Sequence, residues 1–185
     1  MKLIVFSGLP GTGKSILAES IGKQLNIPVF AKDWLEATLL RNGLQATSNE
    51  KSLGYVGYEL LTVLAERQLI LGQSVILDSV ASTQAIRAIW KDLAKQYGAD
   101  RRVIECICSD ELTHRSRLMT RERNIPGWHE LEWSDVEKVK QYIRHGMKTG
   151  LCWIWQIPLT KIFPGSIHIV SEIVVRYNMH IQEKP

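Results

Sequence analysis

The stretch Gly8-Leu9-Pro10-Gly11-Thr12-Gly13-Lys14-Ser15 constrains this chain more than any other. It matches G-x-x-x-x-G-K-[ST], whose physical demands reach beyond its own positions. Glycines let consecutive main-chain amides turn toward one centre and form a nest for phosphate oxygens. The first amides of a following helix add to the same anion site. A lysine places a point charge on the β- and γ-phosphates, and the Ser/Thr hydroxyl is a ligand for Mg²⁺. Such a loop needs a strand before it and a helix after it. Lys2 to Phe6 is a β-branched and aromatic run typical of a buried parallel strand. From Lys14 to Leu25, residues Ile16, Leu17, Ile21 and Leu25 recur at helical spacing. Gly8, Gly11, Thr12, Gly13, Lys14, Ser15 and Ile16 are therefore the expected nucleotide-binding residues, with ATP as ligand and Lys14 also catalytic.

The alternation of strand and helix continues for two-thirds of the chain. Val29 to Ala31 reads as a second strand after the break at Asn26-Ile27-Pro28, and Asp33 stands at the start of a helix carrying Leu35, Leu39 and Leu40. A long helix is expected from about Ser52 to Leu71, with Gly72 as its stop. A third strand, Val75 to Leu77, ends in Asp78; Ser82 or Thr83 caps the helix that follows. Arg102 to Cys108 is the fourth strand, Asp110 to about Arg123 and Ser134 to about His145 two further helices. Short connections between such units imply an α/β fold, a parallel sheet with helices on both faces. The whole chain, residues 1–185, reads as one domain. Past Gly146 its character changes: residues 151–185 hold only two acids, Glu172 and Glu183, and Ser166 to Val170 is a candidate fifth strand.

Composition narrows the function classes. The 185 residues are 45% hydrophobic and 23% charged, which argues against disorder, collagen and a rod. No apolar run is long enough to span a bilayer and no signal peptide is visible, so no membrane role and a cytoplasmic location are expected. Three cysteines fit a reducing compartment. The formal charge of +4 suits anionic ligands without choosing among them. The five histidines show no H-x-x-x-H ligand spacing, and the lone C-x-C of Cys106 and Cys108 is not read as a metal site.

In open α/β sheets, ligands lie beyond the carboxyl ends of strands, and two aspartates fall there. Asp78 would hold the Mg²⁺ hydration shell beside Ser15, against the plainer reading of a turn aspartate. Asp33 lies where a phosphate acceptor would sit, and a carboxylate there can orient the acceptor hydroxyl or take its proton. An N-cap for a helix starting at Trp34 is the plain alternative, and the two roles can coexist. From Leu112 to Arg123 the net charge is +3, with Arg117 and Arg121 four apart and so expected on one helix face. Arginines that close over a transferring phosphoryl group stabilise its charge. Arg117 and Arg121 are accordingly the catalytic lid candidates of a segment spanning about 112–127, with Asn124-Ile125-Pro126-Gly127 as hinge. A solvated basic face is the alternative.

With these residues in hand, the chain resembles the small P-loop kinases of the AAA_33 or zeta-toxin-like group, relatives of chloramphenicol phosphotransferase, gluconate kinases and the kinase domain of polynucleotide kinase. The resemblance covers about Met1 to Ile143. It rests on the phosphate loop, Lys32-Asp33, Val75-Ile76-Leu77-Asp78, Arg87 and the arginine helix from Arg117 to Arg121. It implies a P-loop NTPase fold and ATP–Mg²⁺-dependent transfer to a hydroxyl of a small-molecule or nucleotide-like acceptor. Asp33 would be the acceptor-side base, Arg117 or Arg121 the lid arginine on ATP, and Arg87 an acceptor neighbour or a helix brace. Where polynucleotide kinases carry an arginine three residues after that aspartate, this chain has Glu36, which disfavours a nucleic-acid acceptor. The tail also lacks the late carboxylate-bearing strand expected near residues 155–165. The remaining alternatives are an ATPase, a nucleotide-binding regulatory protein, and a 5′-hydroxyl nucleic-acid kinase.

Overall fold

The computed structural model describes residues 1–44, 52–146, 153–155 and 174–178. Its first half follows the expected alternation: β1 (Lys2–Ser7), α1 (Lys14–Leu25), β2 (Val29–Ala31), α2 (Lys32–Arg41), α3 (Leu53–Ile70) and β3 (Val75–Asp78). Then come α4 (Gln84–Gln96), β4 (Asp100–Ile107), α5 (Glu111–Thr120), α6 (Trp133–Gly146), β5 (Trp153–Trp155) and β6 (Val174–Asn178). The strands form one sheet in the order β2-β3-β1-β4-β6-β5. Four of them, β2, β3, β1 and β4, are parallel, as expected. At the far edge β6 runs antiparallel to β4 and β5 antiparallel to β6. The expected strand at 166–170 lies outside the described residues.

Side-chain alternation along the strands builds the two faces. Leu3 and Val5 of β1, with Val75 and Leu77 of β3, pack against Leu61, Ala65 and Leu69 of α3 and Trp90 and Leu93 of α4. The intervening Ile4, Phe6 and Ile76 meet Leu17 and Ala18 of α1 on the other face, with Ile104 and Cys106 of β4. A parallel strand covered on both sides must be apolar at every position, and the residues of β1 from Leu3 to Phe6 are each at most 6% exposed. Inside the α3–α4 layer Trp90 donates its indole N–H to Thr62 Oγ1 at 2.9 Å.

One open choice of cap is resolved and two helix boundaries differ from the sequence reading, each for an identifiable reason. Of the two candidate caps for α4, Thr83 does the work, accepting from the Ile86 amide at 3.4 Å. The helix α2 begins at Lys32 with Ala31 as its N-cap, so Asp33 lies inside the first turn rather than capping it. Asp110 caps α5, accepting from the Thr113 amide at 2.9 Å, but the helix stops at Thr120. Arg121 is extended there (φ −76, ψ 138), so Arg117 and Arg121 do not share a helix face. Among the described residues, no helix is long and apolar enough to cross a membrane.

Candidate functional site

Parallel pairing places the carboxyl ends of β1 and β3 side by side, with Phe6 opposite Asp78. Immediately beyond, the chain from β1 turns into the phosphate loop, and short bonds secure that turn. Ser7 Oγ donates to the Val80 carbonyl at 3.0 Å, and the Ser79 amide to the Phe6 carbonyl at 3.3 Å. Gly8 must be glycine: its φ is +139, and a Cβ there would lie 2.3 Å from the Cys106 carbonyl oxygen of β4. Within the loop Thr12, only 1% exposed, donates its hydroxyl to the Leu9 carbonyl at 2.8 Å. Its side chain therefore staples the loop, which leaves only its main chain for a ligand.

His114, on α5 and 3% exposed, sits beneath the loop. Its Nε2–H donates to the Pro10 carbonyl at 2.7 Å. Its ring packs edge-on against Trp133 of α6 at 5.1 Å between centroids, and Gly11 leaves the space it occupies: a Cβ on Gly11 would come within 3.1 Å of the imidazole. Burial lowers the His114 pKa, with the nearby charges of Lys140 and Arg117 acting the same way and the Pro10 bond opposing. Nothing in the sequence singled out this residue. Its partner is 104 positions away, so no local pattern could have.

Above the loop lies a cleft of about 500 Å³. Gly11, Gly13, Lys14, Ser15 and Ile16 line its floor, and Arg117 and Arg121 its far wall. The expected loop residues and both expected lid arginines thus converge on one space even though α5 has ended before Arg121. Glu19 of α1, Trp34 of α2, and Thr120, Glu122, Arg123 and Ile125 complete the walls. Gly8, Thr12, Asp33 and Asp78 are not among the lining residues. Ile125 is 6% exposed, so the stretch read as a hinge is anchored by a buried side chain.

Asp33 is the residue whose surroundings the sequence hid most completely. Its Oδ2 accepts a charged hydrogen bond from Arg123 Nη1, across 90 positions of chain. Burial works to raise the Asp33 pKa. The charges of Lys14, Arg123 and Lys32 and the Arg123 hydrogen bond outweigh it, and the carboxyl is held below its ordinary value. One turn further along α2, Glu36 pairs with Lys32 at 2.5 Å. Burial raises the Glu36 pKa despite that partner. Lys32 also lies 4.7 Å over the Tyr58 ring of α3. The place of the polynucleotide-kinase arginine is therefore taken by a buried acid with its own cation.

Asp78, 4% exposed, ends β3 with its Oδ1 buried and without a hydrogen-bond partner among the described residues. Arg87 donates Nε to the Ala81 carbonyl at 2.7 Å. This braces the turn after β3, where Ala81 itself has φ +48. Cys106 is buried and unbonded, its thiol pushed up to about 12 by that burial, which leaves it inert at neutral pH.

Loop, strand-end carboxylates and converging arginines together define a kinase-like P-loop NTPase fold. The chain belongs to the AAA_33 family of AAA domains, whose model matches residues 3–143. No curated protein sequence matches it. Among solved structures it is similar to a candidate kinase from Chloroflexus aurantiacus J-10-fl (22% identity, 75% of this chain and 77% of that one, TM-score 0.62). It is similar also to Chaetomium thermophilum Kti12 in complex with ADP-AlF3 (21% identity, 76% and 79% covered, TM-score 0.57). A third is a gluconokinase from Sinorhizobium meliloti 1021 (16% identity, 77% and 74% covered, TM-score 0.52). At these identities the likeness is one of fold.

Proposed function

We propose that this protein is an ATP-dependent kinase that moves the γ-phosphoryl group of ATP to a hydroxyl of a small-molecule or nucleotide-like acceptor. The observation that carries this reading is the setting of Asp33. It is a carboxylate on the first turn of α2, kept ionised against its own burial by Lys14 of the phosphate loop and Arg123 of the lid. A carboxylate ionised at the end of β2, apart from Asp78 at the end of β3, suits the orientation of an acceptor hydroxyl beside the phosphate loop.

In this reading the loop amides and Lys14 grip the β- and γ-phosphates, and the burial of Lys14, 6% exposed, strengthens its attraction for them. Ser15 and Asp78 are the hard oxygen donors that suit Mg²⁺, and the unpartnered buried oxygen of Asp78 fits a cation or its ordered water. When bound, the metal would neutralise charge on the phosphate oxygens. Asp33 accepts a hydrogen bond from the acceptor hydroxyl and aims its oxygen at the γ-phosphorus. As that O–P bond forms, the bond to the β,γ-bridging oxygen breaks, its electron pair leaves with ADP, and the hydroxyl proton passes to Asp33 and then to water. Arg117 and Arg121 spread over the equatorial oxygens.

The test is transfer of ³²P from ATP to a panel of sugars, nucleosides, antibiotics and 5′-hydroxyl oligonucleotides. The expected result is a labelled product with the wild type, and loss of transfer with preserved ATP binding in Asp33→Asn. ADP release that ignores Asp33→Asn and labels no acceptor would replace the kinase reading with an ATPase.

A further inference from the structure

We propose that the two arginines of the lid segment have different tasks: Arg121 meets the phosphates, whereas Arg123 is a positioning residue that holds Asp33 by one carboxylate oxygen. This rests on the kinase reading above, in which Asp33 orients the acceptor hydroxyl.

The two side chains lie two residues apart and line the same cleft, yet their hydrogen bonding is opposite. Arg123, with a side chain 12% exposed, already spends its guanidinium on Asp33 Oδ2. Arg121, 19% exposed, has Nε and Nη2 buried with no hydrogen-bond partner among the described residues. Its near acid, Glu130, offers Oε2 at 3.8 Å from Nε, beyond hydrogen-bond reach. The other oxygen of Glu130 is taken by the Arg123 amide at 3.1 Å. Buried guanidinium N–H groups without acceptors cost free energy, and an anion entering the cleft would remove that cost. Arg121 is thus open to a ligand in a way that Arg123 is not.

The Arg123 contact also settles the geometry of Asp33. A carboxylate with Oδ2 pinned cannot rotate freely and presents Oδ1 in one direction, which is what a group that orients a hydroxyl requires. The pin holds only while the lid lies over α2. The segment packs closely there: a Cβ on Gly127 would come within 2.2 Å of Arg41 Cγ. Charged groups acting on Asp33 come from every side. They are Lys14 of α1, Arg123 and Arg121 of the lid, and Lys32 and Glu36 of its own helix. Of these only Arg123 both bonds to Asp33 and can be removed without touching the phosphate loop or α2.

The experiment uses the full chain labelled with [¹³C-γ]aspartate, the Asp33 carboxyl being assigned by its loss in Asp33→Asn. Its titration is followed in the wild type, Arg123→Gln, Arg123→Lys and Arg121→Gln. In parallel, ADP release from ATP–Mg²⁺ is measured against pH with water as the probe acceptor. The expected result is that Arg123→Gln moves both the carboxyl titration and the acid limb of turnover to higher pH. Turnover near neutrality falls about 10²-fold and ATP affinity changes by less than about threefold. Arg123→Lys, which keeps the charge, restores the acid limb; Arg121→Gln lowers turnover while moving the Asp33 titration less than Arg123→Gln does. An unmoved Asp33 titration in Arg123→Gln, or a rate lowered equally at every pH with weakened ATP binding, overturns the assignment while leaving the kinase reading in place. Wild-type ³²P transfer to an acceptor in Asp33→Asn instead removes the kinase role of Asp33, whatever the Arg123 variants do.

Discussion

The phosphate loop and the lid face each other across one cleft and are held together by different physics. The loop is a contiguous run fixed by contacts onto main-chain carbonyls: Gly8 against β4, Ser7 on Val80, Thr12 on Leu9, and His114 on Pro10. Every one of these contacts ends on a backbone carbonyl. The lid segment beyond α5 is joined to the rest of the site by the ion pair of Arg123 with Asp33 and by buried Ile125, and Glu130 braces it from within, beside Arg121 and on the Arg123 amide. Backbone-anchored groups are pre-positioned and cost little to use when a ligand arrives. Ion pairs of partly exposed side chains are individually modest and screened by salt.

This contrast can be broken or sharpened. The largest effect is expected from the loop's charge: Lys14→Ala should lower phosphotransfer at least ~10³-fold, and an active variant would remove the loop from the chemistry. Arg121→Ala should cost about 10³-fold in turnover, within the range for arginines that meet a transferring phosphoryl group, and much less in nucleotide affinity. Equal losses in both, measured by calorimetry and steady-state rates, would make Arg121 a ground-state binder. Gly8→Ala tests the readiness of the loop as a stability matter. Left-handed strain plus collision with a backbone oxygen should cost about 3 kcal/mol, read from urea unfolding, and a neutral result would mean that the turn from β1 is pliable.

The smallest effect comes from the buried link between loop and lid helix. His114 has a lowered folded pKa, so the unfolded chain takes up the proton first as pH falls. The stability it contributes is full above the ordinary histidine value of about 6.5 and is lost as pH falls from there toward the folded pKa. Unfolding free energy should therefore decline on acidification through that window, and His114→Gln should flatten the decline. An identical slope in the variant would show that this histidine binds protons equally in the folded and unfolded chains, its pKa unmoved by folding. For Asp33 the sign has the same direction in a lower window, below about 3.8, because its folded value is depressed.

Much of this architecture was legible because its causes are local. The β1 run, the glycine pattern and the periodicity of α1 lie within 25 consecutive residues, and each dictates its own conformation. The caps Thr83 and Asp110 act three residues away, on the amides of Ile86 and Thr113. Reading failed where causes were distant or nearly balanced. The arginine-rich stretch has helical composition throughout, yet α5 ends at Thr120, before the lid segment that carries Arg123 to Asp33 and buries Ile125. Asp33 has the chemistry of a helix cap, but Ala31 takes that position. Arg87, whose role the sequence left open, turned out to serve Ala81 six residues back.

What the amino-acid order determined by itself is a strand, an anion-binding turn and a helix, with carboxylates at the ends of neighbouring strands, because glycine freedom, side-chain periodicity and capping act over a few residues. What tertiary structure alone decided is how that turn is used. Asp33 met Arg123, and His114 met Pro10, only once the sheet had brought segments 90 and 104 positions apart together. Side-chain charges find partners through space, and no pattern along the chain records which ones.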